Sequence, residues 1–91
     1  MPSEEPKTWL PVKDAARIAR EYLRVLIPEI PENDISLEEI EPGDDEWLVT
    51  LGYTNPHRVP SFMPTNDERI YKRFRIDAVD GNVISMNIRK P

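Results

Sequence analysis

The sequence predicts an α+β fold in which one N-terminal helix packs on a four-stranded antiparallel meander sheet. An amphipathic segment with helical periodicity comes first, and segments that alternate apolar and polar residues follow it. No helical segment separates the strands, so parallel crossovers are not expected. The 91 residues suffice for one domain with a modest core. We expect residues 1–8 to form a disordered tail and residues 9–91 to form the single domain.

The helix is predicted to begin at Pro11, where a missing backbone donor is harmless, and to end by Ile27, which precedes a proline. Its apolar residues form one continuous arc of a helical wheel, and the alanines at its centre allow close approach to a sheet. Residues 27–34 then form a stiff linker. The arc consists of Val12, Ala15, Ala16, Ile18, Ala19, Tyr22, Leu23, Val25, Leu26 and Ile27.

Two strands are predicted next in the chain. The first runs from Ile35 to Glu41 and carries the acids that are typical of an edge strand. Strict alternation places Ile35 and Leu37 on one of its faces and Ile40 on the other. The second strand covers 46–54 and directs Trp47, Val49, Leu51 and Tyr53 toward the core.

The last two strands flank Asp80-Gly81, a strong hairpin signal. A three-residue loop with Gly81 at positive φ would set Phe74 opposite Met86 and Ile76 opposite Ile84. These residues would face Ala16, Ala19 and Leu23 of the helix. The final strand, residues 82–90, is predicted to be an uncovered edge.

The hairpin carries an Asp-Ala-x-x-Gly-x-Val pattern at Asp77, Ala78, Gly81 and Val83. With the alanine-rich helix before it, most of residues 11–90 resembles a PepSY-type domain and the wider cystatin-like class. This resemblance implies a non-catalytic module of a kind often found beside peptidases as an inhibitor. The protease-blocking motifs of cystatins, Gln-x-Val-x-Gly and Pro-Trp, are missing from the corresponding turns, so inhibition of cysteine proteases is not implied. The chain also departs from the family pattern because its start does not look like an export signal.

The net charge of −5 argues against general nucleic-acid binding, but the charge is unevenly distributed. Nine acids and no lysine or arginine lie between Val25 and His57, whereas six bases follow from Arg69 onward with only two acids. One interpretation is that adjacent strands complement each other across the sheet. The alternative is an acidic rim that binds a basic partner or a cation.

No enzyme chemistry is expected, and no catalytic residue, metal site or cofactor is predicted. The chain has no cysteine, and its single histidine, His57, does not make a metal site by itself. Asp44, Asp45 and Glu46 fit a solvated turn better than a calcium loop. No apolar run approaches the ~20 residues of a membrane helix, and the acidic start is unlike a signal peptide. We therefore expect a cytoplasmic protein with no membrane partner.

Two candidate sites remain. The long loop 55–68 contains Arg58, Phe62 and Met63, which we predict to bind a protein partner, although the two apolar residues could instead cap the core. The open sheet face carries Tyr71, Arg73 and Arg75, but a single aromatic residue argues against RNA binding, which usually needs two or more stacking rings.

The predicted function is a small non-enzymatic binding or inhibitory module that engages a protein. One alternative is an immunity-type inhibitor of a basic toxin or enzyme site. Another is a structural or oligomerising domain that uses the last strand.

Overall fold

A computed structural model describes residues 8–54 and 69–88 of the chain. Its four strands form one antiparallel sheet in the order β1-β2-β3-β4, with the helix across one face. The predicted α+β fold is therefore confirmed. The elements are α1 (Val12–Leu26), a single 3-10 turn (Glu32–Asp34), β1 (Ser36–Pro42), β2 (Glu46–Thr54), β3 (Arg69–Asp77) and β4 (Val83–Ile88).

The segment before α1 is fastened to the sheet. Pro11 precedes the first helical residue with an extended backbone (φ −59°, ψ 149°), so its missing N–H leaves no helical hydrogen bond unmade. The Leu10 N–H donates to the Ala78 carbonyl at 2.7 Å, and the Trp47 indole N–H donates to the Leu10 carbonyl at 3.1 Å. The rings of Trp9 and Trp47 also meet edge to face, with centroids 5.4 Å apart. These contacts fix the position from which the helix starts.

The core lies between the centre of α1 and the two middle strands. Ala15, Ala19 and Leu23 are completely buried, as expected if small residues let the helix axis approach the sheet. They pack against Val49, Leu51, Tyr53, Phe74 and Ile76.

The sheet covers a narrower arc of the helix than the wheel predicted. Tyr22 and Val25, on one flank of the predicted apolar arc, remain exposed because a single sheet contacts only the central stripe of one helix. Val12 and Leu26 are exposed because they are the first and last residues of the helix.

A β-bulge in β1 overturns part of the predicted face assignment of that strand. The register shifts between Leu37 and Glu39, so one extra residue enters the strand and the alternation changes parity. Ile40 consequently joins Ile35 on the core face, opposite Val49, which corrects its predicted face. Leu37 keeps its predicted face, opposite Leu51, but is 44% exposed at the edge of the sheet. Ile30, which the sequence placed in a plain linker, is fully buried and belongs to the core.

The β3–β4 hairpin confirms part of the predicted register. Phe74 pairs with Met86, and Gly81 has φ +80°, both as predicted. The connection is longer than three residues, however, because the Asp77 N–H donates to the Asn82 carbonyl at 2.8 Å. A bulge then places Val83 opposite Ile76, and Val83 packs against the core.

Ile84 was therefore predicted wrongly as a core residue. The bulge adds one residue to β4, and the position that faces Ile76 passes from Ile84 to Val83. The Ile84 side chain is 48% exposed as a result. The hairpin thus leaves more apolar surface on the last strand than simple alternation predicted.

Candidate functional site

The face of the sheet opposite α1 carries the predicted residues Tyr71, Arg73 and Arg75. Phe74 and Ile76 alternate with them in β3 and point into the core, so these three side chains point away from the helix. The Tyr71 ring lies over Gly52 of β2, where a Cβ atom would come within 2.9 Å of Cε1. Glycine at this position is what allows the aromatic ring to approach the neighbouring strand this closely.

The arginines of this open face are paired with acids on β2, the adjacent strand, and on β1, the strand beyond it. Arg75 contacts Glu46 with Nη2 and Oε1 2.9 Å apart, and Arg73 contacts Glu41 at 3.5 Å. The first interpretation of the uneven charge, complementation across the sheet, accounts for these pairs. Because both guanidinium groups already have carboxylate partners, the open face is a poor surface for a phosphate backbone.

A polar cluster around Asp34 fastens the 3-10 turn to the ends of β2 and β3. The Asp34 carboxylate accepts hydrogen bonds from the Thr54 N–H at 2.7 Å and from Arg69 Nη1 at 3.0 Å. Arg69 Nη2 also donates to the Ser36 hydroxyl at 2.6 Å. The Thr54 backbone N–H lowers the pKa of the Asp34 carboxyl most strongly, the Thr54 hydroxyl and Arg69 act in the same direction, and burial opposes them. This cluster has a structural role, since it joins three separate segments.

The two edges of the sheet differ sharply in composition. The β1 edge carries Glu38, Glu39 and Glu41, ends in Pro42 and is bent by its bulge. Charged residues, proline and bulges are the features by which natural sheets prevent an edge from pairing with another chain. The β4 edge, Val-Ile-Ser-Met-Asn-Ile, has neither a charged residue nor a proline, and its bulge lies at the beginning of the strand. Only the β4 edge therefore offers a strand that another strand can extend.

Exposed apolar side chains line the same side of the molecule as β4. On α1, Ile18 and Tyr22 share one side by helical spacing: Ile18 lies beside Gly81 of the hairpin, and Tyr22 meets Phe74 of β3 edge to face at 6.2 Å. The opposite side of α1 faces β1, because Arg20 donates to the Ile35 carbonyl there at 3.1 Å.

Three of the eight exposed large apolar side chains among the described residues lie on this side. We refer to the three as the apolar rim. It consists of Tyr22, Ile84 and Ile88, of which Ile88 is the most exposed at 66%.

A shallow depression of about 350 Å³ lies between α1 and the 3-10 turn. Arg20 and Arg24 line it, but both donate to backbone carbonyls, Arg24 Nε to Ile30 at 3.4 Å. Glu21 and Glu32 add negative charge to the lining, and Val25 adds an apolar side chain. The depression therefore lacks a free cationic group with which it could bind an anion.

The partner-binding residues predicted in the 55–68 loop, Arg58, Phe62 and Met63, lie outside the described residues, as does His57. Within 8–54 and 69–88, no three acidic or histidine side chains come together in a way that could hold a metal ion. No helix in the same ranges is long and apolar enough to cross a membrane.

The sequence pointed to β4 as an uncovered edge but did not reveal the apolar rim. The helical wheel predicted Tyr22, Val25 and Leu26 to be buried, and the predicted hairpin register placed Ile84 in the core. An available signal was the width of the apolar arc on the helix, which exceeds what one sheet covers. A second was the lack of charge in β4 beside the strongly acidic β1.

No protein-family model matches the chain, and neither does any curated protein or solved structure.

The residues behind the PepSY resemblance build one turn. Asp77 Oδ1 accepts the N–H groups of Val79 and Asp80, each at 2.8 Å, and Gly81 supplies the positive φ. Aspartate and glycine are thus the residue types that this turn itself requires.

Proposed function

We propose that this chain is a non-enzymatic protein-binding module whose partner adds a strand to the free edge of β4. The contrast between the two edges of the sheet carries the proposal. Both strands carry a bulge near their start, but β1 also has three glutamates and a proline, while β4 has no charged residue and no proline. An unprotected edge exposes a chain to aggregation, and binding of a partner strand would cover it.

Strand addition would supply both affinity and selectivity at this edge. The outward N–H and C=O groups of β4 would form backbone hydrogen bonds with any extended segment, as in other β-augmentation complexes. The side chains of Ile84 and Ile88 would select apolar residues at alternate positions of the added strand. The exposed helical part of the apolar rim stands beside the same strand and widens the contact surface.

Peptide selection tests this proposal without a known partner. Peptides would be selected from a random display library on the immobilised full-length chain, and their affinities measured by fluorescence anisotropy. We expect extended peptides with alternating apolar residues, and an affinity loss of about tenfold or more for Ile88→Lys, because a charge on an edge strand opposes pairing.

Leu37→Lys is the matched control. It introduces the same side chain at another exposed apolar position, on the β1 edge, and should leave peptide affinity unchanged. Equal losses in the two variants, or a selection that yields no binding peptide, would contradict strand addition at β4.

The same assay separates β4 from the loop site that the sequence predicted. Phe62→Ala combined with Met63→Ala removes the two apolar residues proposed there, while Arg58 is left in place. Loss of binding in this double variant with full binding in Ile88→Lys would favour the loop and overturn the β4 assignment. The PepSY resemblance and a cytoplasmic location stay predictions.

A further inference from the structure

We infer that the strand added to β4 comes from a second copy of this chain, in an antiparallel dimer that joins the two sheets. This inference rests on the proposed use of the β4 edge and names its occupant. A two-fold axis perpendicular to the sheet at the seam would produce eight continuous strands with both helices on one face.

Charge selects β4 over β1 for self-association. The chain has a net charge of −5, so two copies can approach closely only where the seam itself is uncharged. Pairing of β1 with itself would bring Glu38, Glu39 and Glu41 of both copies together, whereas β4 contributes no charged residue. Two β4 strands can therefore lie side by side without repulsion between charged side chains.

The nearest bases among the described residues do not oppose this pairing. Lys72, Arg73 and Arg75 lie one strand away from the seam, on β3, where they pair with Ile88, Asn87 and Ser85 of β4. Arg89 and Lys90 follow β4 in the sequence and lie outside the described residues. The counterparts of the β3 bases in a second copy would be three strand spacings distant, about 14 Å. This separation exceeds the screening length of about 8 Å at physiological ionic strength, and both arginines already contact glutamates.

One register makes the seam self-complementary. With Met86 on the two-fold axis, Ser85 faces Asn87 of the second copy on the open face of the sheet. Ile88 then faces Ile84 of the second copy, which is the residue that the bulge inserts, so this apolar pair lies at each end of the seam, where the strand departs from regular alternation. The regular part of the seam, from Ser85 to Asn87, pairs polar residues with polar residues.

The geometry also distinguishes this seam from association through the helices. The buried residues of α1 pack on β2 and β3, so the two helix axes in the paired sheet would stand about four strand spacings apart, roughly 19 Å. Packed helices stand only about 8–10 Å apart. Val25, although highly exposed, would therefore not reach the other helix.

Sedimentation equilibrium of the full chain tests the dimer, from about 5 µM to about 1 mM, because so short a seam gives a weak complex. We expect a reversible rise toward twice the chain mass of 10.6 kDa. Ile88→Lys should weaken dimerisation at least about tenfold. Val25→Lys, an equal change at an exposed apolar residue away from the seam, should leave it unaltered.

A single engineered cysteine tests the register. The natural chain has no cysteine, so Met86→Cys introduces only one thiol. Opposed residues in antiparallel strands have Cα atoms about 4.5–5.5 Å apart, a distance that a disulfide spans. Oxidation should therefore link Met86→Cys into a covalent dimer, while Asn87→Cys and the opposite-edge control Leu37→Cys should remain largely monomeric.

Each outcome has a definite meaning. A monomer at every concentration, with no cross-link at residue 86, overturns the second copy as occupant, and the peptide selection then decides independently whether β4 binds other strands. A dimer that Val25→Lys dissociates and Ile88→Lys does not overturns the seam. In that case an absence of selected peptides would also remove the proposed function.

Discussion

Asp34 joins three parts of the chain through one carboxylate. It accepts hydrogen bonds from Thr54 at the end of β2 and forms an ion pair with Arg69 at the start of β3. Its own position lies at the end of the 3-10 turn. The side chain therefore holds the linker after α1 against one end of the sheet, and its ionisation is coupled to folding.

The stability of the fold should fall in acid because of this residue. The folded pKa of Asp34 is lower than the unfolded value of about 3.9, so the ionised carboxylate stabilises the fold above that pH. This stabilisation is lost as the pH falls through the lowered folded pKa. Asp34→Asn should cost about 1–2 kcal/mol at neutral pH and flatten the fall in acid.

Thermal unfolding followed by circular dichroism from neutral pH into acid measures both effects for Asp34. Asp44→Asn, a matched change in the exposed β1–β2 turn, serves as the control and should leave both the midpoint and its acid dependence as in the natural chain. If the two asparagine variants lost acid dependence equally, the role assigned to Asp34 would be wrong.

Gly81 holds a backbone conformation that other residues adopt only with strain. With φ +80°, Gly81→Ala should destabilise the fold by about 1 kcal/mol or more. Steric contact adds to this, because the new Cβ would lie 3.1 Å from Ile18 Cδ1. Asparagine tolerates positive φ better than alanine does, so Gly81→Asn separates the two causes.

Urea unfolding of both Gly81 variants gives the comparison. A smaller loss for Gly81→Asn than for Gly81→Ala would assign most of the cost to the backbone. A larger loss would assign it to the contact with Ile18.

The β4 bulge gives Ile76 and Ile84 very different degrees of burial. Ile76 is fully buried opposite Val83, while Ile84 is half exposed. Ile76→Ala should therefore cost about 2–5 kcal/mol, and Ile84→Ala well under half as much. Chemical denaturation at low micromolar concentration measures both variants on the monomer. Equal losses would restore the register in which Ile76 faces Ile84.

The helix, the strands and their order could be predicted from the sequence. In β1 and β4, however, the face of the sheet that each side chain occupies could not. Both errors, at Ile40 and at Ile84, arise from bulges. A bulge shifts every later side chain by one face, and its formation depends on pairing with a neighbouring strand rather than on local sequence. The helix posed a different problem, because the wheel identifies apolar residues but not how far the sheet extends beneath Tyr22 and Val25.

For the molecule as a whole, a small core makes single truncations severe. Phe74 is completely buried between Tyr22 on α1 and the middle of the sheet. Phe74→Ala should cost about 3–5 kcal/mol, a large fraction of the total stability of a domain this size. Calorimetry should detect a lowered or lost thermal transition. An unshifted transition would contradict the assignment of the core face.

The Asp34 cluster has a consequence for engineering. Thr54 and Arg69 pair directly across the sheet, and both are fastened by Asp34, so the two points between which residues 55–68 run are held by the scaffold itself. Doubling the length of a flexible insert between fixed points costs only about 0.6 kcal/mol in closure entropy. Foreign sequences of varied length could therefore be grafted in place of 55–68, which makes the domain a candidate display scaffold with its graft site at the end of the two central strands.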